Sequence, residues 1–179
     1  MTRQERPAGT NIHYLEQGVE LIRRLGDETY ATCPENPYRG GVGAQFRHCL
    51  DFYDRFLQGI ESGEIDYSRR ERDPQIESDR QYAIARFQAV CDGLTGLTSE
   101  RCEQPVRVKA EEAAPGTPEW SSSSPARELQ FLISHTIHHY ALIAVLLKMQ
   151  GHEVGRELAE FGVAPSTLSH WKETGSYAS

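Results

Sequence analysis

Two histidines, His135 and His139, lie four residues apart in the most apolar stretch of the chain. At roughly 100° per residue, their side chains lie about 40° apart on a helical wheel and share one helix face. The same face carries Phe131, Leu132, Leu142 and Leu146, which predicts that both imidazoles point into the core. Buried rings need partners, and a shared metal ion best explains two of them at this spacing. The alternative is a pair of core histidines that hydrogen bond to carboxylates or carbonyls.

A metal ion held by two histidines needs at least one further ligand. His48 is the candidate, because it lies early in a second amphipathic segment, at the flank of its apolar stripe. Asp54 is the alternative ligand or a residue that supports a ligand, whereas the simpler interpretation of Asp51 and Asp54 is a solvated acidic helix face. His138 is expected to bond to a backbone group or to water.

The spacing of the histidine pair also resembles the HExxH motif of zinc proteases. Thr136 stands where that motif has its glutamate base, so a protease of this type is not expected. Three neutral imidazoles leave a metal ion with an open coordination position. A water or thiol bound there becomes more acidic, which favours hydrolysis or thiol transfer.

Apolar residues recur every three to four positions in four segments, which predicts four helices. Their expected bounds are residues 11–32, 44–60, 74–97 and 125–150. The third and fourth helices begin with a capping residue followed by proline, at Asp73-Pro74 and Ser124-Pro125. We therefore expect an all-α fold, an up-down four-helix bundle with a long crossover between helices three and four.

The apolar stripes of these helices predict a shared core that contains Phe46, Leu50, Phe87, Leu94, Leu142 and Leu146. The polar residues 64–73 are expected to form a loop. Residues 98–124 lack helical periodicity; one short strand is expected around residues 106–108, and the serines at 121–124 look flexible. Trp120 is expected to close the metal pocket, with a disordered surface segment as the alternative. Residues 152–179 are interpreted as a tail with a short helix.

Charge argues against nucleic acid as a partner. The chain has 179 residues, enough for one domain over residues 1–179, and a net charge of −7 without a basic stripe. Arg69, Arg70 and Arg72 cluster, but acidic residues interrupt them, and we interpret them as part of a solvated loop.

Two further patterns concern the location of the protein. No apolar run approaches the roughly 20 residues of a membrane span, so no membrane is expected as a partner. The four cysteines have no CxxC pairing, which predicts free thiols in a cytoplasmic protein.

These residues together resemble the DinB-like superfamily (DinB and YfiT type proteins). The resemblance rests on a helical bundle of this length, on a histidine early in helix two, and on H-x-x-x-H in helix four with a doubled histidine at its end. It implies that His48, His135 and His139 bind one divalent ion, commonly zinc or nickel and sometimes iron. The family often continues with Arg-Gly-Gln after the last histidine, where this chain has Tyr140-Ala141-Leu142.

The resemblance implies two kinds of function. Known branches of the family include thiol-dependent transferases and isomerases, so this chain is expected to be a metal-dependent enzyme on a small molecule, a thiol-dependent transferase or a hydrolase. The alternative is a non-catalytic metal- or ligand-binding bundle protein, related to stress. The sequence assigns no catalytic residue. The expected partners are a small-molecule ligand or substrate and a second copy of the chain in a homodimer.

Overall fold

The computed structural model describes residues 7–35, 40–111, 116, 119–152 and 160–175, and over these residues the protein is mainly helical. The four longest helices are α1 (Gly9–Arg24), α3 (Val42–Ser62), α5 (Arg80–Thr95) and α7 (Pro125–Met149). The shorter helices are α2 (Asp27–Ala31), α4 (Pro74–Ser78), α6 (Ser99–Glu103) and α8 (Pro165–Thr174). Three short strands complete these elements: β1 (Glu64–Asp66), β2 (Val106–Lys109) and β3 (Ser121–Ser123).

The four long helices enclose the hydrophobic core. Helix α3 packs against α7 and α5, and α1 packs against α5 and α7. Five of the six predicted core residues are buried there, namely Phe46, Leu50, Phe87, Leu94 and Leu146. The sixth, Leu142, is only half-buried, and Ile143 is buried instead. The sequence pattern misplaced this face because α7 is apolar on nearly all sides, so its periodicity is weak.

The predicted first helix is in fact two helices. Helix α1 ends before Leu25, whose backbone is extended (φ −78°, ψ 147°), and Gly26 is extended as well. Glycine is a poor helix former, which favours a break here. The chain then re-enters a short helix, α2, which packs against α3 and α4.

The predicted third helix is also divided. Asp73 caps α4 by accepting a hydrogen bond from the Gln75 amide, as the aspartate–proline start predicted. Directly after the five residues of α4, Asp79 leaves the helical conformation (φ −114°, ψ 102°), and its carboxylate accepts a hydrogen bond from the Tyr82 amide. Aspartate side chains compete for backbone donors in this way, so a second cap begins α5.

A small sheet combines the strand expected around residues 106–108 with two segments, residues 64–66 and 121–123, for which no strand was predicted. Strand β1 pairs in parallel with β2, and β2 pairs antiparallel with β3, which consists of three serines. Gly63, in the left-handed region (φ 78°), ends α3 and turns the chain into β1. The prediction of a loop at residues 64–73 is therefore wrong for its first three residues. Strands β1 and β3 have three residues each, which is too short for a clear alternation of polar and apolar residues. Their pairing partners are also distant in sequence.

Helix α7 is long and apolar enough to cross a membrane by length and composition, with a mean hydropathy of 1.3 over its most apolar window. The expectation that no apolar run approaches this length is therefore wrong for this helix. Length and composition alone are weak evidence, because core helices meet the same criteria. In the structure α7 packs against α1, α3 and α6.

Candidate metal centre

Three histidines from two helices meet at the contact between α3 and α7. His48 lies in the second turn of α3, and His135 and His139 lie one turn apart on α7. The ring centroid of His48 is 4.9 Å from that of His135 and 4.4 Å from that of His139. The centroids of His135 and His139 are 4.5 Å apart. One ring nitrogen from each lies within 4.8 Å of the other two. Tertiary packing thus brings together the three residues that the sequence predicted.

The cluster lies at the edge of the core, not in its centre. All three histidines are half-buried, whereas the face of α7 that is fully buried carries Thr136 and Tyr140. The prediction that the imidazoles point into the core is therefore wrong in part. This position shields the rings from bulk water while leaving a side of the cluster near the surface.

The environment keeps the three rings neutral. Burial is the largest cause, and together with the charges of neighbouring histidines and Arg70 it lowers the pKa of His48 to about 2, of His135 to about 4 and of His139 to about 3. Neutral imidazoles have a free lone pair, which is the state that binds a metal ion. Since charging is disfavoured by the surroundings, each ring keeps its lone pair at neutral pH, although that of His48 accepts a hydrogen bond from Arg70.

One ring nitrogen of the cluster lacks any partner. His135 Nε2 is buried and makes no hydrogen bond. A buried polar atom without a partner is costly, which calls for an explanation at this position. A divalent ion shared with the two other rings fits this atom, because three imidazole nitrogens at such separations are a common donor set.

Gln45, one turn before His48 on α3, orients the third ring. Its Oε1 lies 2.6 Å from His139 Nδ1, and an amide oxygen can only accept, so Nδ1 carries the proton. The lone pair of His139 is therefore on Nε2. Histidine ligands usually donate their second nitrogen to such an oxygen. The sequence analysis did not identify Gln45, although its position three residues before His48 was a usable signal.

Arg70 lies against His48, contrary to its interpretation as a solvated loop residue. Its side chain is only 9% exposed, whereas that of Arg69 is 83% exposed. The Arg70 guanidinium donates to His48 Nδ1 (2.6 Å) and to the carboxylate of Glu111, and it lies 5.0 Å from the ring centroid of Phe52. A single-sequence reading could not separate Arg70 from its neighbours, because β1 and the distant Glu111 determine its position.

Aromatic rings form one wall of the site. Phe52 packs 4.1 Å from His135, and Phe131 packs 5.7 Å from the same ring, centroid to centroid. Tyr67 stacks on Phe52, and its hydroxyl donates to the buried carboxylate of Glu128. These contacts restrict the rotation of the His135 ring and exclude water from its inner side.

The aspartates considered as alternative ligands have other partners. Asp51 is 3% exposed and pairs with Arg47, and burial raises its pKa to about 6. Asp54 pairs with Arg86 at 2.8 Å. The solvated acidic face is thus wrong for Asp51. Among the described residues, neither aspartate is part of the group that could hold a metal ion.

The remaining candidates also lie apart from the cluster. His138 is exposed, and its ring lies at a steep angle to that of His139, 5.1 Å away centroid to centroid. The four cysteines form no disulfide, which is consistent with the prediction of free thiols.

Trp120 lies under the Arg107 guanidinium. Together with Arg55 and Lys109 it lines a cavity, and none of the three histidines lines this cavity. The closing role predicted for Trp120 is therefore not seen.

Comparison with protein families gives a match over most of the chain. The sequence model described as the DinB superfamily matches residues 17–143, more than half of the chain, including all three histidines. The chain is also similar to FK506-binding protein 5 of Rhizopus delemar, with 31% identity over 110 residues. The aligned part covers 61% of this chain but 28% of that protein, so the chain spans under a third of the length of this relative.

Proposed function

This chain belongs to the DinB superfamily, and we propose that it is a divalent-metal-dependent enzyme acting on a small molecule, a thiol-dependent transferase or a hydrolase. The observation that carries the proposal is the convergence of His48, His135 and His139, with His135 Nε2 buried and unpartnered. In this proposal the four long helices form an up-down bundle that holds these ligands, and the segment between α5 and α7 is its long crossover.

The donor set supports an open coordination position. No acid or cysteine joins the three histidines among the described residues, and structural zinc sites are usually closed by a fourth protein ligand. A bound divalent ion supplies Lewis acidity to a water or thiol at the open position. Gln45 fixes the tautomer of His139, and the aromatic wall excludes water beside His135. Zinc, nickel and iron all suit three imidazoles, and availability often decides among them.

The proposed partners are supported by the net charge of the chain and by the packing of α7. The net charge of −7 supports a small molecule over nucleic acid. The buried Glu128 and the helix contacts of α7 support a folded core helix over a membrane span. A cytoplasmic homodimer is part of the proposal, because the four cysteines form no disulfide and because α7 exposes Val145 and Met149.

A second function is a non-catalytic metal- or ligand-binding bundle protein, related to stress. The observation in its favour is the packing of Arg70 and Phe52 over the histidines, which covers part of the cluster. A covered ion would be held without access for a substrate.

Metal analysis of the purified protein tests the ligand assignment. We expect near-stoichiometric metal in the wild type and in His138→Ala, whose ring is exposed, and little metal in His139→Ala. Equal metal content in the wild type and in His139→Ala would overturn the assignment.

Thiol titration of the cobalt-loaded protein separates the two functions. A panel of low-molecular-weight thiols is added, and a sulfur-to-cobalt charge-transfer band is monitored. A new band shows that an exogenous ligand reaches the ion, as a metal-dependent enzyme requires, and turnover assays with that thiol follow. A spectrum that no thiol or small anion changes supports the covered, non-catalytic site.

A further inference from the structure

The hydrogen bond between Arg70 and His48 is incompatible with metal coordination by His48. A neutral imidazole has one donor and one acceptor nitrogen, and a guanidinium can only donate, so His48 Nδ1 is the acceptor. Coordination through Nδ1 uses the lone pair that Arg70 now holds. Coordination through Nε2 puts the proton on Nδ1, where Arg70 cannot accept it. In either case Arg70 must release His48 when the three histidines bind an ion.

Arg70 is then a buried cation with unsatisfied donors. Its side chain is 9% exposed, and its Nε is buried without a partner even while His48 is bound. Glu111 is its one acidic partner among the described residues, and that carboxylate is 41% exposed. Release from His48 leaves Nη1 without an acceptor as well. Buried guanidinium groups need acceptors, and planar oxyanions match their paired donors best.

The charge around the cluster favours the same class of ligand. Imidazole ligands carry no negative charge, so three of them leave the charge of a divalent ion uncompensated. Arg70 adds a further positive charge, held 5.0 Å from the Phe52 ring that packs on His135. Asp51, a buried acid on α3 that also feels the charge of Arg70, forms its ion pair with Arg47. A small anion is therefore attracted both by the open metal position and by Arg70.

We propose that Arg70 is the binding residue for an oxyanion, a carboxylate or phosphate, that a small-molecule ligand presents beside the open metal position. This inference rests on the proposed function, since it requires metal bound to the histidine cluster. Glu111 holds Arg70 in place and partly neutralises it. The inference narrows the substrate class to small molecules that carry an oxyanion next to their metal-coordinating group.

Anion titration of the cobalt-loaded, full-length protein tests this inference. Acetate and inorganic phosphate are added separately, acetamide is the neutral control, and the visible cobalt spectrum reports binding. We expect acetate or phosphate to bind and acetamide to leave the spectrum unchanged, and the tighter of the two anions identifies the oxyanion. Binding of acetamide as tightly as both anions would overturn the inference.

Three variants locate the effect. Arg70→Met should weaken anion binding roughly 10- to 100-fold, as expected for loss of a charged hydrogen bond, while cobalt binds at least as tightly as in the wild type. Arg69→Met is the matched control, because its exposed side chain lies next in sequence, and it should bind the anion as the wild type does. Glu111→Gln removes the charge that competes with the anion for Arg70, so this variant should bind the anion several-fold more tightly. Its result tests the inference even if Arg70→Met does not fold.

The outcomes separate this inference from the proposed function. If the wild type takes up no cobalt at the histidines, the proposed function and this inference both fail before any anion is added. If cobalt binds but the anion affinity is the same in the wild type, Arg70→Met and Glu111→Gln, only the role of Arg70 is overturned.

Discussion

At the scale of single residues, Gln45 determines which nitrogen His139 offers to a metal ion. Its amide oxygen accepts from Nδ1 at 2.6 Å and leaves Nε2 free. Gln45→Ala should therefore lower metal affinity roughly 10- to 100-fold, the usual effect of losing such a supporting hydrogen bond. A competition titration with a chromophoric chelator measures this change. Gln58→Ala, an exposed position on the same helix, is the control, and an equal effect of both variants would contradict the orienting role.

Arg70 and Arg69 show how far neighbouring residues of one type can differ. One is buried against His48 and Phe52, and the other is exposed. The difference arises because the chain leaves β1 with Arg70 facing α3, where Glu111 from beyond β2 reaches it. A segment of mixed charges, residues 69–73, therefore contained one residue that contacts the histidine cluster.

At the scale of elements, the buried face of α7 positions the histidine pair against α3. Leu146 is 1% exposed, whereas Met149 on the same helix is 54% exposed. Leu146→Ala should lower the free energy of unfolding by roughly 2–5 kcal/mol, because it leaves a cavity in a packed interior. Met149→Ala should change it by no more than about 0.5 kcal/mol. Urea unfolding of the metal-free proteins measures both, and similar losses would show that the buried face is misassigned.

The contact between α1 and α7 depends on the absence of a side chain at Gly18. A Cβ at this position would collide with the hydroxyl of Tyr140, which cannot easily move. That hydroxyl donates to the Tyr14 carbonyl at 2.9 Å, and Phe161 stacks on its ring at 4.3 Å. Gly18→Ala should therefore destabilise the protein by roughly 1–3 kcal/mol through overpacking.

Gly96→Ala is the matched control for Gly18→Ala. Its backbone conformation is accessible to alanine (φ −75°), and the nearest atom to the added Cβ is 3.5 Å away. This variant should be neutral, or stabilising by about 0.4–1 kcal/mol, since alanine restricts the unfolded chain. Thermal unfolding followed by circular dichroism compares the two. A stable Gly18→Ala protein would contradict the tight approach of the helices.

At the scale of the whole molecule, the histidine cluster makes stability depend on pH. Burial lowers the pKa of His48, His135 and His139 in the folded state, whereas in the unfolded chain each titrates near about 6.5. Below that pH the unfolded chain binds protons that the folded protein does not. The free energy of unfolding is therefore highest above about pH 6.5, and it decreases as the pH falls towards the pKa values of the folded state. The raised pKa values of Asp51 and Asp54 have the opposite sign, but they are two groups against three.

Urea unfolding of the metal-free protein between pH 7 and pH 5 tests this linkage. We expect the free energy of unfolding of the wild type to fall as the pH is lowered. A variant with glutamine at positions 48, 135 and 139 should show a shallower dependence. Equal slopes for the two proteins would mean that the cluster is not responsible.

The local pattern determined much of the candidate site. The spacing of His135 and His139 places them one turn apart on any helix, and the serine–proline start of α7 is a local signal because Ser124 caps its own helix. His48 was predicted as the third ligand from its place in a second helix and from the resemblance to a family. The four long helices were predicted with approximate bounds, because apolar periodicity over many residues is a strong signal.

Only the tertiary structure decided what surrounds these residues. Arg70 reaches His48 across 22 positions, and Gln45 reaches His139 across 94. The pairing of β1 with β2 likewise joins segments far apart in the chain. Such contacts depend on how helices and strands pack together, and no local propensity encodes them. The sequence by itself therefore determined the histidines and their helices, while packing decided which ring nitrogens are free and which cation lies beside them.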